Sequence, residues 1–121
     1  MIFAILGALI TFYAAIFYEN KKKNNYKNNL INYLILEMSS CKKSIDNNDE
    51  GLIPNLIARK IIEDNILDPV NEKELAISVY EYYKETVIIN KSIIGTSKVN
   101  KAKKELSENI KIYKEPFENN R

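Results

Sequence analysis

The chain opens with an apolar run that carries no charge, and its first charged side chain is Glu19. All 18 basic and all 16 acidic residues follow this run. A helix over residues 1–18, rising about 1.5 Å per residue, is roughly 27 Å long and close to the ~30 Å hydrocarbon core of a bilayer. The pattern therefore predicts one N-terminal transmembrane helix over residues 1–18.

The residues on the C-terminal side of this run indicate its orientation. Lysines follow it in a basic juxtamembrane segment, residues 19–29, where they are predicted to contact lipid headgroups: Lys21, Lys22, Lys23 and Lys27. The positive-inside rule places this side in the cytoplasm and Met1 outside, in a single-pass protein of the inner membrane. A cleaved signal peptide is the alternative. In a signal peptide, however, a basic stretch comes before the apolar core and a small-x-small cleavage site comes after the core. Here Ala14-Ala15 is followed by the bulky Ile16-Phe17, which favours an anchor.

Small side chains recur at helical spacing along the predicted span, at Ala4, Gly7, Ala8, Thr11 and Ala15. Such a stripe lets two membrane helices approach closely, and it predicts a homo-oligomer or another helix pairing through the span. The alternative interpretation is that alanine and glycine are simply common in spans.

Four further segments show helical periodicity or helix boundaries. Residues 24–45 place apolar side chains on one face, at Tyr26, Leu30, Leu34, Met38, Cys41 and Ile45. A short helix has Pro54 in its first turn and ends near Asn65, and a last helix covers residues 98–114 with Val99, Ala102, Leu106, Ile110 and Tyr113 inward. The third helix, residues 72–94, turns a broad face to the core, made of Leu75, Val79, Tyr82, Tyr83, Thr86, Ile89, Asn90 and Ile93.

The third helix also has recognisable boundary residues. Asn71 and Glu74 have the spacing of a capping box, Val70 is placed to pack on Leu75, and Gly95 suits the C-terminal stop. No useful strand-like alternation occurs. The fold prediction is all-α: a transmembrane helix, then a cytoplasmic helical domain of three to four helices at residues 30–115, with a frayed tail at 116–121.

Charge divides along the chain into +4 for residues 19–45, −6 for residues 46–90 and +4 for residues 91–121. Acidic and basic helices that alternate in a bundle explain this division, and basic segments lying on anionic lipid are the alternative. The net charge of +2 is too small to indicate a nucleic-acid partner.

Candidate chemistry is sparse. The chain has no histidine, and its one cysteine, Cys41, lies on an apolar face, which is typical of an inert thiol. Acidic residues cluster in sequence without calcium-loop spacing, namely Glu63, Asp64, Asp68, Glu72 and Glu74. Tyr80, Tyr82, Tyr83 and Tyr113 have the spacing of core residues rather than of a base-stacking platform. We therefore expect no enzymatic activity, no catalytic or metal-binding residue and no cofactor.

The apolar N-terminal helix, the basic stretch, Leu34-Ile35-Leu36-Glu37-Met38, Tyr80-Glu81-Tyr82-Tyr83 and Asn90 follow one another in a familiar order. This order resembles a loose class of small bacterial and phage single-pass proteins with a cytoplasmic helical domain. Some members accompany phage-defence or phage-exclusion genes, so the resemblance implies a role in phage–host conflict.

Two functions from different classes remain open. The first is a membrane-tethered, non-enzymatic interaction module that presents its bundle to an unknown cytoplasmic or membrane protein. The second is a small pore-forming or lysis-regulating protein that assembles through its span in the lipid bilayer.

Overall fold

The computed structural model describes residues 2–92 and 96–119, with side chains from residue 4 onward. Four α-helices make up this part of the chain: α1 (Ile2–Asp46), α2 (Leu56–Glu63), α3 (Lys73–Lys91) and α4 (Ser97–Asn119). No strand occurs among the described residues. The all-α prediction is confirmed, and the predicted stop at Gly95 lies outside the described residues, as does Ile93.

Helix α1 runs without a break through the predicted boundary between anchor and bundle. Its C-terminal half packs on α2 and α4 through the predicted apolar face, with Leu30, Leu34, Met38 and Cys41 buried and Ile45 partly buried. It ends in a turn where Asn48 takes a φ of 58°, a left-handed conformation that asparagine tolerates better than most residues.

The prediction of an inner-membrane anchor at residues 1–18 is wrong. Across the described residues, no helix combines the length and the apolar character needed to cross a bilayer. The uncharged stretch with described side chains, residues 4–18, is only about 22 Å long at about 1.5 Å per residue. Extending it toward the bundle adds Glu19, Lys21 and Lys22, whose charges are costly in hydrocarbon. The single-pass topology, with its N-terminus outside, therefore has no support.

Helices α2 and α3 begin differently from the predicted pattern. Pro54 lies before α2 rather than inside its first turn. At the start of α3 the N-cap is Glu72, which makes no side-chain cap bond, and Val70 is 82% exposed instead of packing on Leu75. Asp68 explains the difference, because its carboxylate accepts hydrogen bonds from the Val70 N–H and the Asn71 side chain and organises a turn there.

Helix α4 extends five residues beyond the predicted end at residue 114. It runs through Pro116 to Asn119, where the prediction had a frayed tail, and Phe117 is 1% exposed. A large aromatic side chain anchors this last turn against the core.

The four helices pack as neighbours around a ring, α1 on α4, α4 on α3, α3 on α2 and α2 on α1. The core at its centre contains residues from every helix, including Leu34, Ile61, Tyr82 and Ile110. The N-terminal half of α1 lies outside this ring, and it is the most unusual feature of the molecule.

Candidate functional site

Every described side chain in residues 4–26 is exposed. This segment, here called the arm, continues α1 beyond the bundle for roughly 35 Å at about 1.5 Å per residue. The bundle begins to cover α1 only at Lys27 and buries it fully at Leu30.

The arm exposes a large continuous apolar surface. Nine large side chains contribute, each between 40% and 73% exposed: Ile5, Leu6, Leu9, Ile10, Phe12, Tyr13, Ile16, Phe17 and Tyr18. At roughly 200 Å² for each such residue when fully open, they expose on the order of 1,000 Å². The largest apolar patch on a typical soluble monomer is about 300–600 Å². A surface of this size indicates an interaction site.

Two opposite faces divide the arm. The five predicted pairing residues, Ala4, Gly7, Ala8, Thr11 and Ala15, lie together on what we call the small-residue face. The large side chains other than Tyr18 lie on the other side and form the bulky face, which covers roughly 160° at 3.6 residues per turn. Most of the exposed apolar area therefore belongs to the bulky face, which the sequence analysis did not single out.

The small-residue face has space beside Gly7, and the one hydroxyl among its five residues, that of Thr11, is already hydrogen-bonded. A Cβ atom added at Gly7 would meet no atom within 4 Å. The Thr11 hydroxyl donates to the Gly7 carbonyl oxygen at 2.9 Å, within the same helix. Both observations are compatible with close approach of a second helix, and pairing through this face stays a prediction.

The four predicted headgroup lysines differ in their surroundings. Lys21, Lys22 and Lys23 are exposed on the arm. Lys27 is part-buried, and its Nζ atom contacts both carboxylate oxygens of Glu72 at 2.6 Å. Lys27 thus joins the arm to the start of α3, and no finding tests the headgroup role of the other three.

Polar side chains of α3 hold the loop between α1 and α2, in a group of contacts that we call the loop clamp. The Ile53 N–H donates to Asn90 Oδ1 at 2.7 Å, and Asn90 Nδ2 donates to the Ile53 carbonyl at 3.0 Å. The Tyr82 hydroxyl donates to the Pro54 carbonyl at 2.6 Å, and Asn55 Nδ2 donates to Thr86 Oγ1 at 3.2 Å. Asn90 and Tyr82 pair backbone groups of the loop, and Thr86 accepts from the side chain of Asn55, which explains a polar Asn90 and Thr86 on a core-facing surface.

Glu37 caps α2 from a different helix. Its carboxylate accepts the N–H groups of Ile57 at 3.0 Å and Ala58 at 3.2 Å, two of the donors that a helix start leaves unpaired. Burial raises the pKa of the Glu37 carboxyl, although the backbone donors at Ile57, Ala58 and Leu56 lower it in part. Desolvation of the charged form dominates.

This raised pKa predicts a pH dependence. The folded state holds the Glu37 proton more tightly than the unfolded state, so the stabilisation is complete below the ordinary pKa of 4.5 and is lost as pH rises through the folded value. We expect the free energy of unfolding, taken relative to Glu37→Gln at each pH, to fall as the pH rises above the ordinary value of 4.5. Urea titrations at several pH values measure it.

Asp46→Asn is the matched control with the opposite sign. Hydrogen bonds from Ser107 and Lys42 hold the pKa of Asp46 below its ordinary 3.8, so its contribution is lost as pH falls instead. If both differences changed with pH in the same direction, the assignment of the Glu37 effect to burial would be wrong.

Most of the cysteine, tyrosine and acidic residues singled out in the sequence are either buried in the bundle or paired with neighbouring side chains. Cys41 is fully buried, and desolvation raises the pKa of its thiol to about 11. Tyr82 is buried, Tyr83 and Tyr113 are partly buried, and Tyr80 is 55% exposed, so the four do not form one open platform. Within the described ranges, no cluster of three metal-ligating side chains occurs. The acidic residues make local contacts instead, such as Glu63 with Arg59 at 2.8 Å.

A cavity of about 720 Å³ lies between the end of α1 and α4 and is lined by side chains of both charges. Its polar groups bond to one another: Ser107 donates to Asp46 at 2.6 Å, and Lys42 donates to Ser107 at 3.1 Å.

Comparison with protein-family models, curated proteins and solved structures finds no match to this chain. The arm is therefore the candidate functional site on physical grounds.

Proposed function

We propose that this chain is a non-enzymatic interaction module, with the arm as its binding element and an apolar helical protein surface as its target. The observation that carries the proposal is the open apolar surface of the arm, on the order of 1,000 Å² and more than a soluble monomer usually exposes. Residues 4–18 of the arm are apolar on all sides, and a helix of this kind is usually buried, but here the bundle leaves it uncovered.

The bundle supports this function by holding the arm rather than by offering a reactive site. Asn90, Tyr82 and Glu37 direct their polar atoms to the backbone of this same chain. Lys27 pairs with Glu72 where the arm leaves the bundle, which joins the base of the arm to the start of α3.

The proposed setting is conflict between a phage and its bacterial host. It rests on the order of the helices and motifs alone, and not on the single-pass topology of the class that the chain resembles. The pore-forming alternative required a membrane span. The span prediction is wrong, so that alternative has lost its premise.

Charged substitutions on the arm should prevent the chain from forming its complex. In a detergent-free native extract, the tagged full chain is expected to migrate well above its own 14.0 kDa. Leu9→Asp with Ile16→Asp is expected to shift it to the mass of a free chain, because a buried charge without a partner costs several kcal/mol. Sedimentation velocity measures both. The same variant should lose any effect of the intact chain on plaque numbers.

The control is Leu36→Asp with Leu52→Asp, which puts the same charges at exposed leucines of the bundle, 63% and 73% exposed. This control should keep the complex. A native chain that migrates at its own mass, or that sediments with lipid and enters no protein complex, would refute the proposal.

A further inference from the structure

We infer that the arm binds the arm of a second copy of this chain, antiparallel, bulky face against bulky face. The twofold axis lies near Tyr13, so that the N-terminal end of each arm reaches the base of the other. This inference rests on the proposed function and names the partner of the same surface. It differs from pairing through the small-residue face.

The first argument is continuity with the core of the bundle. Eighteen residues are five turns of a helix, so Phe12 and Ile16 point in the same direction as Leu30 and Leu34. These two leucines are 5% and 0% exposed against the other helices of the bundle. The bulky face thus extends the core-facing row of α1 past the end of the bundle, where no further helix of this chain covers it among the described residues.

The second argument is steric and fixes the direction. A partner helix on the bulky face lies on the same side of α1 as the bundle itself. A parallel partner would run into the start of α3 and the end of α4, which the contacts of Glu72 with Lys27 and the shared cavity of Glu74, Glu115 and Pro116 place at the arm's base. An antiparallel partner runs away from that end, and its own bundle lies beyond the first arm's N-terminus. The pair closes on itself, since the two interfaces are identical.

The third argument is charge at the two ends. α1 has no acidic residue in its first turn, so the positive end of its dipole lacks a compensating carboxylate within the helix. In the antiparallel pair this end approaches the base of the partner's arm. Glu74 and Glu115 line a cavity of about 290 Å³ at that end of the bundle, beside Ile77 and Ile112. Carboxylates there complement an approaching helix N-terminus.

The fourth argument is area. The bulky face carries eight of the nine large exposed side chains, and a stable interface buries about 800 Å² per partner. The exposed area on this face is of that order. The small-residue face lacks these side chains and would leave them in water if it alone were paired.

Cysteine cross-linking in the full chain tests the geometry. With the axis near residue 13, residue 6 of one copy lies opposite residue 20 of the other. Leu6→Cys and Asn20→Cys are therefore expected to form a disulfide-linked dimer when the two variants are mixed, at least tenfold more than either alone. Non-reducing electrophoresis reads this as a band at twice 14.0 kDa. Native Cys41 stays in place, because it is 0% exposed.

The control pair lies on the small-residue face in the same register, because residue 8 of one copy would also lie opposite residue 18 of the other. Ala8→Cys mixed with Tyr18→Cys should not cross-link. Cross-linking of this pair, or of Leu6→Cys alone, would overturn the inference in favour of another face or a parallel pair. A monomer that instead enters a complex with a different protein through the arm would overturn it and leave the proposed function standing. A monomer that binds only phosphatidylcholine vesicles would overturn both.

Discussion

Phe117→Ala is expected to lower the free energy of unfolding by about 3–5 kcal/mol, the usual cost of truncating a buried phenylalanine. Phe117 is 1% exposed although it lies in the last turn of α4. Its removal leaves a cavity beneath the last turn of α4, and the loss combines transfer free energy with lost packing. Urea denaturation followed by circular dichroism measures the change.

Ile112→Ala on the same helix is the matched control. Ile112 is 62% exposed, so its truncation should change the free energy of unfolding by less than about 0.5 kcal/mol. Similar values for Phe117→Ala and Ile112→Ala would mean that the last turn of α4 does not pack as described.

The end of α4 illustrates what sequence periodicity can miss. Pro116 removes one helical N–H, which made an end of the helix near Lys114 the natural expectation. The structure continues the helix through Pro116 because Phe117 is buried against the core. Tertiary packing outweighed a local rule, and the core-facing row of α4 did contain the clue, since Phe117 follows Ile110 by seven residues, about two turns.

Helical faces were the most predictable part of the fold. Leu34, Met38, Tyr82, Leu106 and Ile110 were all expected on core-facing surfaces, and all five are fully buried. Periodic apolar spacing is determined by the pitch of the helix itself, so the chain alone carries that information. Contacts between segments far apart in sequence are not encoded in this way.

The cap of α2 is such a long-range contact. Glu37 reaches the N–H groups of Ile57 and Ala58 across 20 and 21 residues of sequence. Nothing in the spacing around Asn55 indicated that the cap comes from α1. The same limit applies to the arm. Its composition predicted a membrane span, and only the folded bundle shows that the bulky face continues the core-facing side of α1.

Asn90→Ala is expected to lower the free energy of unfolding by about 2–4 kcal/mol, because it leaves the buried N–H and C=O groups of Ile53 unpaired. Ile53 is 3% exposed, so water cannot readily replace the lost bonds. The amide of Ile53 should also exchange with solvent faster than in the native chain, and hydrogen exchange monitored by NMR measures this directly. Asn29→Ala, at an exposed position of α1, is the control and should change neither quantity appreciably.

Asn90→Asp separates the two bonds of the clamp. At neutral pH the carboxylate still accepts the Ile53 N–H but cannot donate to the Ile53 carbonyl, so repulsion between two oxygens replaces a bond. Below about pH 4, the ordinary range for an aspartic acid, the protonated side chain regains a donor. The stability difference from the native chain at equal pH should therefore shrink as pH falls. A difference that stayed constant with pH would mean that only the bond from the Ile53 N–H contributes to holding the loop.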